Sequence, residues 1–241
     1  MKYDLGIVGG LGPLASCYFY ELITKKTKVN KDQDHLNIII LSDAKTPDRT
    51  SYILDNKKEN PYPYLLNDCK TLQKLGCKLI CIPCNTSVYF HDKLQKNLNI
   101  KLNNIIENTI EFIKNNNYKK VAIMATTGTI NSNLYQTYLQ KNNIQFILPN
   151  QENVMKIIYN YVKQGKKVPK DLWDKTVETL NVDAIILGCT ELSILKKDFK
   201  LNDKYIDPLE IEADNVLKFF NKERLWNYVW ILWIHKQKRK R

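Results

Sequence analysis

Two cysteines in near-matching settings carry the strongest chemical signal of this 241-residue chain. Cys84 follows the apolar run Lys78-Leu79-Ile80-Cys81-Ile82-Pro83 and opens Cys84-Asn85-Thr86-Ser87, while Cys189 follows Val182-Asp183-Ala184-Ile185-Ile186-Leu187-Gly188 and opens Cys189-Thr190-Glu191-Leu192-Ser193. Both runs have the length and β-branched content of a buried parallel strand. Each thiol therefore falls at a strand's carboxyl end, where open α/β sheets place their ligand chemistry. Two such thiols are a candidate acid and base. Inverting a carbon centre means taking a weakly acidic proton from one face and delivering another to the opposite face, which one thiolate and one neutral thiol can do together. A free thiol is only partly ionised at neutral pH, and a helix amino terminus helps the thiolate. Each cysteine opens such a terminus. Asn85, Thr86 and Ser87 after the first, and Thr190 and Glu191 after the second, place side chains and backbone N–H groups where a carboxylate or enolate-like charge would sit. Plain helix capping is the alternative use of such residues; their recurrence behind a strand-end cysteine in both halves favours the chemistry.

The elements that must position these residues alternate from the start. Leu5 to Val8 reads as a strand, Gly9-Gly10-Leu11-Gly12-Pro13 as a turn, about Leu14 to Thr27 as an amphipathic helix, and Asn37 to Leu41 as the next strand. Helical spacing returns from about Pro63 to Leu75 before the strand that leads to Cys84. Near residue 101 the pattern restarts. It gives a helix at about Asn103 to Asn115, a strand at Lys120 to Ala125 and the polar turn Thr126-Thr127-Gly128-Thr129. There follow a helix at Asn131 to Asn142, a strand at Gln145 to Leu148, helices near Val154 to Gln164 and Pro169 to Leu180, and the strand that leads to Cys189. This βαβ rhythm predicts an α/β fold of two similar lobes, a diverged duplication, each a parallel sheet flanked by helices. Two lobes facing each other would bring both thiols to one cleft. Arg49, in Thr46-Pro47-Asp48-Arg49-Thr50, follows the second strand at the same ligand edge, and its fork suits bidentate binding of a carboxylate.

Composition narrows the class. Apolar residues make up 44% and charged residues 26% of the chain, ordinary values for a globular protein. No apolar run has the length of a membrane span, and the strand pattern begins directly after Met1-Lys2-Tyr3-Asp4, so a cytoplasmic protein without a signal peptide is expected. Six scattered cysteines are read as free thiols, with Cys17, Cys69, Cys77 and Cys81 assigned to packing. Cys81 and Cys84 form a Cys-x-x-Cys pair, but with no second pair and no nearby histidine it is not read as a metal or redox site. His35, His91 and His235 fall in no motif. The net charge is +12, and the seven Lys or Arg with one Glu of residues 222–241 account for half of it. The remainder forms no stripe, so nucleic acid is not expected as a partner. Residues 221–241 stand apart as an aromatic and basic tail, with Trp226, Trp230 and Trp233 on one helical face and five basic residues among the last six. Contact with an anionic membrane or a partner helix, or an ordinary loose terminus, are the readings it allows.

Taken together, Cys-Asn-Thr, Gly-Cys-Thr-Glu, the glycine turn with Pro13, and the motif around Arg49 keep the order and spacing seen in aspartate and glutamate racemases. Over about residues 1–215 the chain resembles that family, specifically its aspartate racemase branch. The resemblance implies two lobes related by a pseudo-two-fold with the active site between them. The first lobe would span 1–101 with 205–220 returning to it, and the second 102–204. It also implies cofactor-independent interconversion of L- and D-aspartate with Cys84 and Cys189 as acid and base. No cofactor and no metal are expected, and the glycine turn lacks the spacing of a dinucleotide fingerprint. A homodimer acting on a small acidic amino acid is expected. Leu11, Arg49, Asn85, Thr86, Ser87, Thr126, Thr127, Thr129, Lys163, Thr190 and Glu191 are the expected substrate contacts, Arg49 and Lys163 by the resemblance. Leu11 stands where the family carries Met, and Glu191 stands where many glutamate racemases carry a histidine, which points toward the aspartate branch. A glutamate or broad-specificity racemase, or a catalytically silent binding module of the same fold, are the alternatives.

Overall fold

A computed structural model describes residues 2–225. The first sheet and its helices comprise β1 (Leu5–Gly9), α1 (Pro13–Lys26), β2 (Ile38–Ser42), α2 (Arg49–Leu54), α3 (Tyr62–Lys74), β3 (Leu79–Cys81), a 3-10 segment (Asn85–Phe90), α4 (His91–Gln95) and β4 (Lys101–Leu102). The second begins with α5 (Ile105–Asn115), β5 (Lys120–Met124), α6 (Thr127–Asn131), α7 (Leu134–Lys141), β6 (Gln145–Ile147) and α8 (Gln151–Met155). It ends with α9 (Lys170–Val177), β7 (Ala184–Leu187), α10 (Thr190–Asp198), β8 (Tyr205–Ile206) and α11 (Pro208–Phe219). The sheets have the orders β2-β1-β3-β4 and β6-β5-β7-β8 with every pairing parallel, so the second repeats the first strand for strand.

Strand alternation builds three apolar layers. Leu5, Ile7, Leu79 and Cys81 of the first sheet and Val121, Ile123, Ala184 and Ile186 of the second all face one shared core, filled by α1, α5 and α11. Their neighbours in sequence face outward instead, Val8 and Ile80 into one outer layer and Ala122, Met124, Ile185 and Leu187 into the other. Because the sheets share the middle layer, the carboxyl ends of β1 and β3 are held in fixed relation to those of β5 and β7.

Several expectations shift. The resemblance implied that 205–220 returns to the first lobe; β8 is an edge strand of the second sheet, while α11 packs on both α1 and α5. The polar turn expected at 126–129 runs into a short helix, α6, and the helix expected from 131 to 142 starts only at Leu134 (α7), after Asn133 adopts a φ of 55°, a left-handed conformation that Asn tolerates better than most residues. The helix expected from 154 to 164 is α8 followed by a wide π turn (Lys156–Tyr161) and a 3-10 turn (Val162–Gln164) that stops at Gly165, φ 66°. Cys69, Cys77 and Cys81 are buried, whereas Cys17 faces solvent on α1 and does not pack. Of the expected tail, Lys28 donates to the Glu223 carbonyl at 2.9 Å and Leu225 to that of Lys26 at 2.7 Å. The Trp face and the terminal basic cluster lie outside the described residues. Among the described residues no helix is long and apolar enough to cross a membrane.

Candidate active site

Both cysteines are extended cap residues, Cys84 with φ/ψ of −155°/111° before the 3-10 segment and Cys189 with −133°/130° before α10. The backbone therefore presents the two thiols in nearly the same way at the ends of the equivalent strands β3 and β7. They are 7% and 6% exposed. Both line one cavity between the lobes, with Leu11, Asp48, Arg49, Thr50, Asn85, Thr86, Thr126, Tyr159, Lys163, Thr190 and Glu191. Leu11, Asp48, Arg49, Lys163 and Glu191 also line a wider surface groove with Gly10, Pro13, Val162 and Ile194, which gives the cavity its way out to solvent.

Arg49 opens α2, whose cap is Asp48 accepting from the Ser51 N–H at 2.7 Å. The guanidinium is 7% exposed and does structural work that its motif did not reveal. Nη1 donates to the carbonyls of Thr46 (3.3 Å) and Pro47 (3.1 Å), and Nη2 to that of Leu11 (2.7 Å), which ties the loop after β1 to the loop after β2. Nε has no hydrogen-bond partner among the described residues. Since guanidinium carries five N–H donors and three are engaged, Nε–H and one more remain for a carboxylate.

On the Cys84 side the hydrogen-bonding network is built of amides and hydroxyls. The Asn85 carbonyl oxygen accepts from the Tyr135 hydroxyl at 2.6 Å, which fixes the amide and leaves Nδ2 buried without a partner. Burial raises the Tyr135 phenol, so it stays a donor. The Thr86 hydroxyl bonds those of Thr126 (3.1 Å) and Thr129 (2.8 Å), and Thr50 donates to Thr126 at 3.3 Å, so a patch of hydroxyls joins the lobes. Gly128 permits the approach, because a Cβ there would stand 2.8 Å from the Thr50 Cα.

The Cys189 side is charged. The Cys189 thiol donates to Glu191 Oε2 at 2.9 Å, and Glu191 Oε1 stands 3.5 Å from the Lys163 ammonium. Burial first, and then the Glu191 carboxylate, push the Cys189 thiol well above the ordinary cysteine range. Burial opposes the charge of Lys163, but Glu191 and the neighbouring thiol more than offset it and hold the ammonium above the usual lysine range. Tyr159 on the π turn and Lys163 on the 3-10 turn after it both line the cavity, with the ammonium 4.7 Å from the phenol ring centre.

Of the expected contacts, Leu11, Arg49, Asn85, Thr86, Thr126, Lys163, Thr190 and Glu191 surround the thiols. Three do not line that cavity. Ser87 faces a neighbouring cleft with His91 and Asn103, the Thr127 N–H meets the Met155 sulfur, and Thr129 lies behind Thr86 and Thr126. Ser87 and Thr127 each stand next to a residue that does line it, and successive side chains leave a helical turn in different directions. Asp48, Thr50 and Tyr159 line the cavity without having been singled out. The first two flank Arg49, and Tyr159 sits one turn before Lys163, so a search around the named residues would have found them.

A paired-thiol cavity at the carboxyl ends of duplicated parallel sheets defines the class, and comparison with known proteins agrees. Residues 8–216 match the Asp/Glu/Hydantoin racemase family. The solved structure of Picrophilus torridus aspartate racemase is similar, with 30% identity and a TM-score of 0.78 over 92% of this chain and 96% of that one. Among curated proteins, the broad specificity amino-acid racemase RacX of Bacillus subtilis is 27% identical over 78% of this chain and 86% of its own length. A glutamate racemase of Hydrogenobaculum is 28% identical over 91% and 80%. The chain belongs to the Asp/Glu/Hydantoin racemase family and is an amino-acid racemase, an isomerase.

Proposed function

We propose that the protein interconverts L- and D-aspartate without a cofactor, with Cys84 and Cys189 as acid and base on opposite faces of the α-carbon. The observation that carries the reading is the opening of both thiols, one from each lobe, into one cavity. In one direction a thiolate takes the α-proton while the other thiol delivers its own to the far face; in the reverse direction the roles exchange. The growing enolate charge would be met by N–H groups at the starts of the 3-10 segment and α10, the first of which have no intrahelical partner. Arg49, with two donors unspent, suits one carboxylate of the substrate. The Asn85 amide and the Lys163 ammonium are further donors toward a dicarboxylic amino acid. The relative from Picrophilus torridus is named for aspartate, which favours it here.

The similarity to a broad-specificity racemase and to glutamate racemases supports a second reading, a wider or longer substrate range at the same site. Chiral analysis of the purified protein with each common L-amino acid separates the two. Turnover confined to aspartate supports the first, equal or faster turnover of glutamate replaces it, and no turnover with any substrate would favour a silent binding module. The resemblance also supports a homodimer in the cytoplasm, which light scattering and cell fractionation test.

A further inference from the structure

Ser87 was expected at the substrate and stands elsewhere. It lines a second cleft with His91, Leu102 and Asn103, and Cys84 lines both that cleft and the cavity between the lobes. Two polar atoms of the cleft, Ser87 Oγ and Asn103 Nδ2, are buried without a hydrogen-bond partner among the described residues, in residues 2% and 8% exposed. Both residues are pinned to the chain around Cys84. The Ser87 N–H donates to the Cys84 carbonyl at 3.2 Å, and the Asn103 N–H to that of Ile80 on β3 at 2.8 Å. The Asn103 amide also partly offsets the burial that raises the nearby Cys81 thiol and Glu212 carboxylate. One of its two N–H groups suffices for that, and the other is left for the cleft. His91 links the cleft to the surface. Its Nε2 meets the Leu102 carbonyl at 3.1 Å and its Nδ1 the Asp92 carboxylate at 3.2 Å, so the ring is held from both sides beside an exposed acid.

Buried polar atoms that no protein group satisfies are characteristically bonded by ordered water. A water at Cys84 also has chemical work to do. On the two-thiol reading, each conversion leaves the thiolate as a thiol and the thiol as a thiolate, so the same enantiomer cannot react again until both have exchanged a proton with solvent. We propose that Ser87 and Asn103 hold a water against Cys84, and that this water is the route by which the Cys84 proton reaches bulk solvent without crossing the substrate cavity. The inference rests on the two-thiol reading and adds the step that resets it. When Cys84 has taken the substrate's α-proton, its S–H bond breaks, the proton joins the held water, and that water releases a proton past His91 to solvent, leaving the thiolate. When Cys84 has given its proton away, the water donates one to sulfur, forming S–H, and is reprotonated from solvent. The Ser87 hydroxyl serves as donor or acceptor in either step, and the Asn103 N–H fixes the water oxygen. An ordinary thiol of pKa ~8.5, recombining with protons at ~10¹⁰ M⁻¹s⁻¹, releases one at about 30 s⁻¹. That is the order of a typical kcat, so resetting is slow enough to limit turnover.

The test is the initial-rate racemisation of L- and D-aspartate by Ser87→Ala. Resetting follows product release, so slowing it lowers kcat and KM together and leaves kcat/KM as it was. A fall of about tenfold in both is expected for either enantiomer, and Ser87→Thr, which keeps the hydroxyl, should restore them. Damage to the site would lower kcat/KM instead. Peptide-resolved alkylation by iodoacetamide across pH should leave the Cys189 profile unmoved, which confines the change to the Cys84 corner. The melting temperature supplies a second readout. Removing a buried hydroxyl that has no partner raises it, whereas removing one that holds a water leaves it unchanged or lowers it. Should Ser87→Ala fail to fold, Asn103→Ala removes the other holder and should give the same joint fall in kcat and KM. Unchanged kcat, a fall in kcat/KM as large as that in kcat, or a raised melting temperature in the folded variant overturns the water route. Wild-type racemisation by Cys84→Ala would instead remove the two-thiol reading itself.

Discussion

The corners around Cys84 and Cys189 share a backbone and differ in charge. Each cysteine caps a helical segment in extended conformation at the end of an equivalent strand. One is surrounded by amides and hydroxyls, held by Tyr135 and the threonine patch, while the other touches Glu191 with Lys163 behind it. Duplicated backbone thus supplies matched placement of two thiols at one cavity, and on one side burial and then the Glu191 carboxylate raise the proton affinity of Cys189.

The sharpest way to break the comparison is to remove either thiol. Cys84→Ala and Cys189→Ala should each lower racemisation by about 10³-fold or more, near the upper end of what a positioned acid or base contributes. Each variant should still exchange the α-proton of one enantiomer with deuterated solvent, and the two should do so with opposite enantiomers. Racemisation surviving at wild-type rate in either one would mean that its corner is not part of the chemistry.

Arg49 belongs to the first lobe and ties the Leu11 turn to the loop at Thr46 and Pro47. Arg49→Lys loses both the fork and these ties. A drop of about 100-fold in kcat/KM for aspartate is expected, the size of losing one or two charge-assisted hydrogen bonds. A lowered melting temperature should accompany it. Unchanged kinetics for aspartate would assign Arg49 to loop structure alone.

Gly128→Ala tests how closely the corners must approach, because the new Cβ meets Thr50 backbone rather than a side chain that can move away. Overpacking of this kind costs about 1–3 kcal/mol. A raised KM should come with the lost stability, since α2 and Thr126, the cap of α6, supply cavity residues from both lobes. If KM is unchanged while stability falls, the hydroxyl patch holds the lobes without shaping the site.

The smallest effect is expected from Tyr135→Phe, which touches the Cys84 corner only. It leaves the buried Asn85 carbonyl oxygen without its donor, worth about 1–2 kcal/mol. Catalysis should slow by roughly tenfold as the amide loses its orientation, with the Cys189 alkylation profile unmoved. A shift of that profile would show that the two corners are coupled through the shared core.

Much of this was legible in the order of residues. Strand-length apolar runs ending at Cys84 and Cys189, the glycine turn, and the motif around Arg49 are local patterns, and a parallel βαβ rhythm places their ends on one edge of each sheet. Helix boundaries were less so. The break at Asn133 and the π turn before Lys163 follow from packing that no periodicity records, and the π turn and the 3-10 turn after it carry Tyr159 and Lys163, which line the cavity. Arg49 was readable as a carboxylate binder, but not as the tie between two loops, because its partners are backbone carbonyls that carry no residue signature. Sequence alone therefore determined which residues could do chemistry and that the chain repeats itself, since both are written in residue types and local spacing. Tertiary structure alone decided that the repeats share one core, that both thiols open into one cavity, and that Glu191 meets Cys189 in space left by Gly12. Those contacts join residues far apart in the chain, where shape and charge in three dimensions determine what a local pattern cannot.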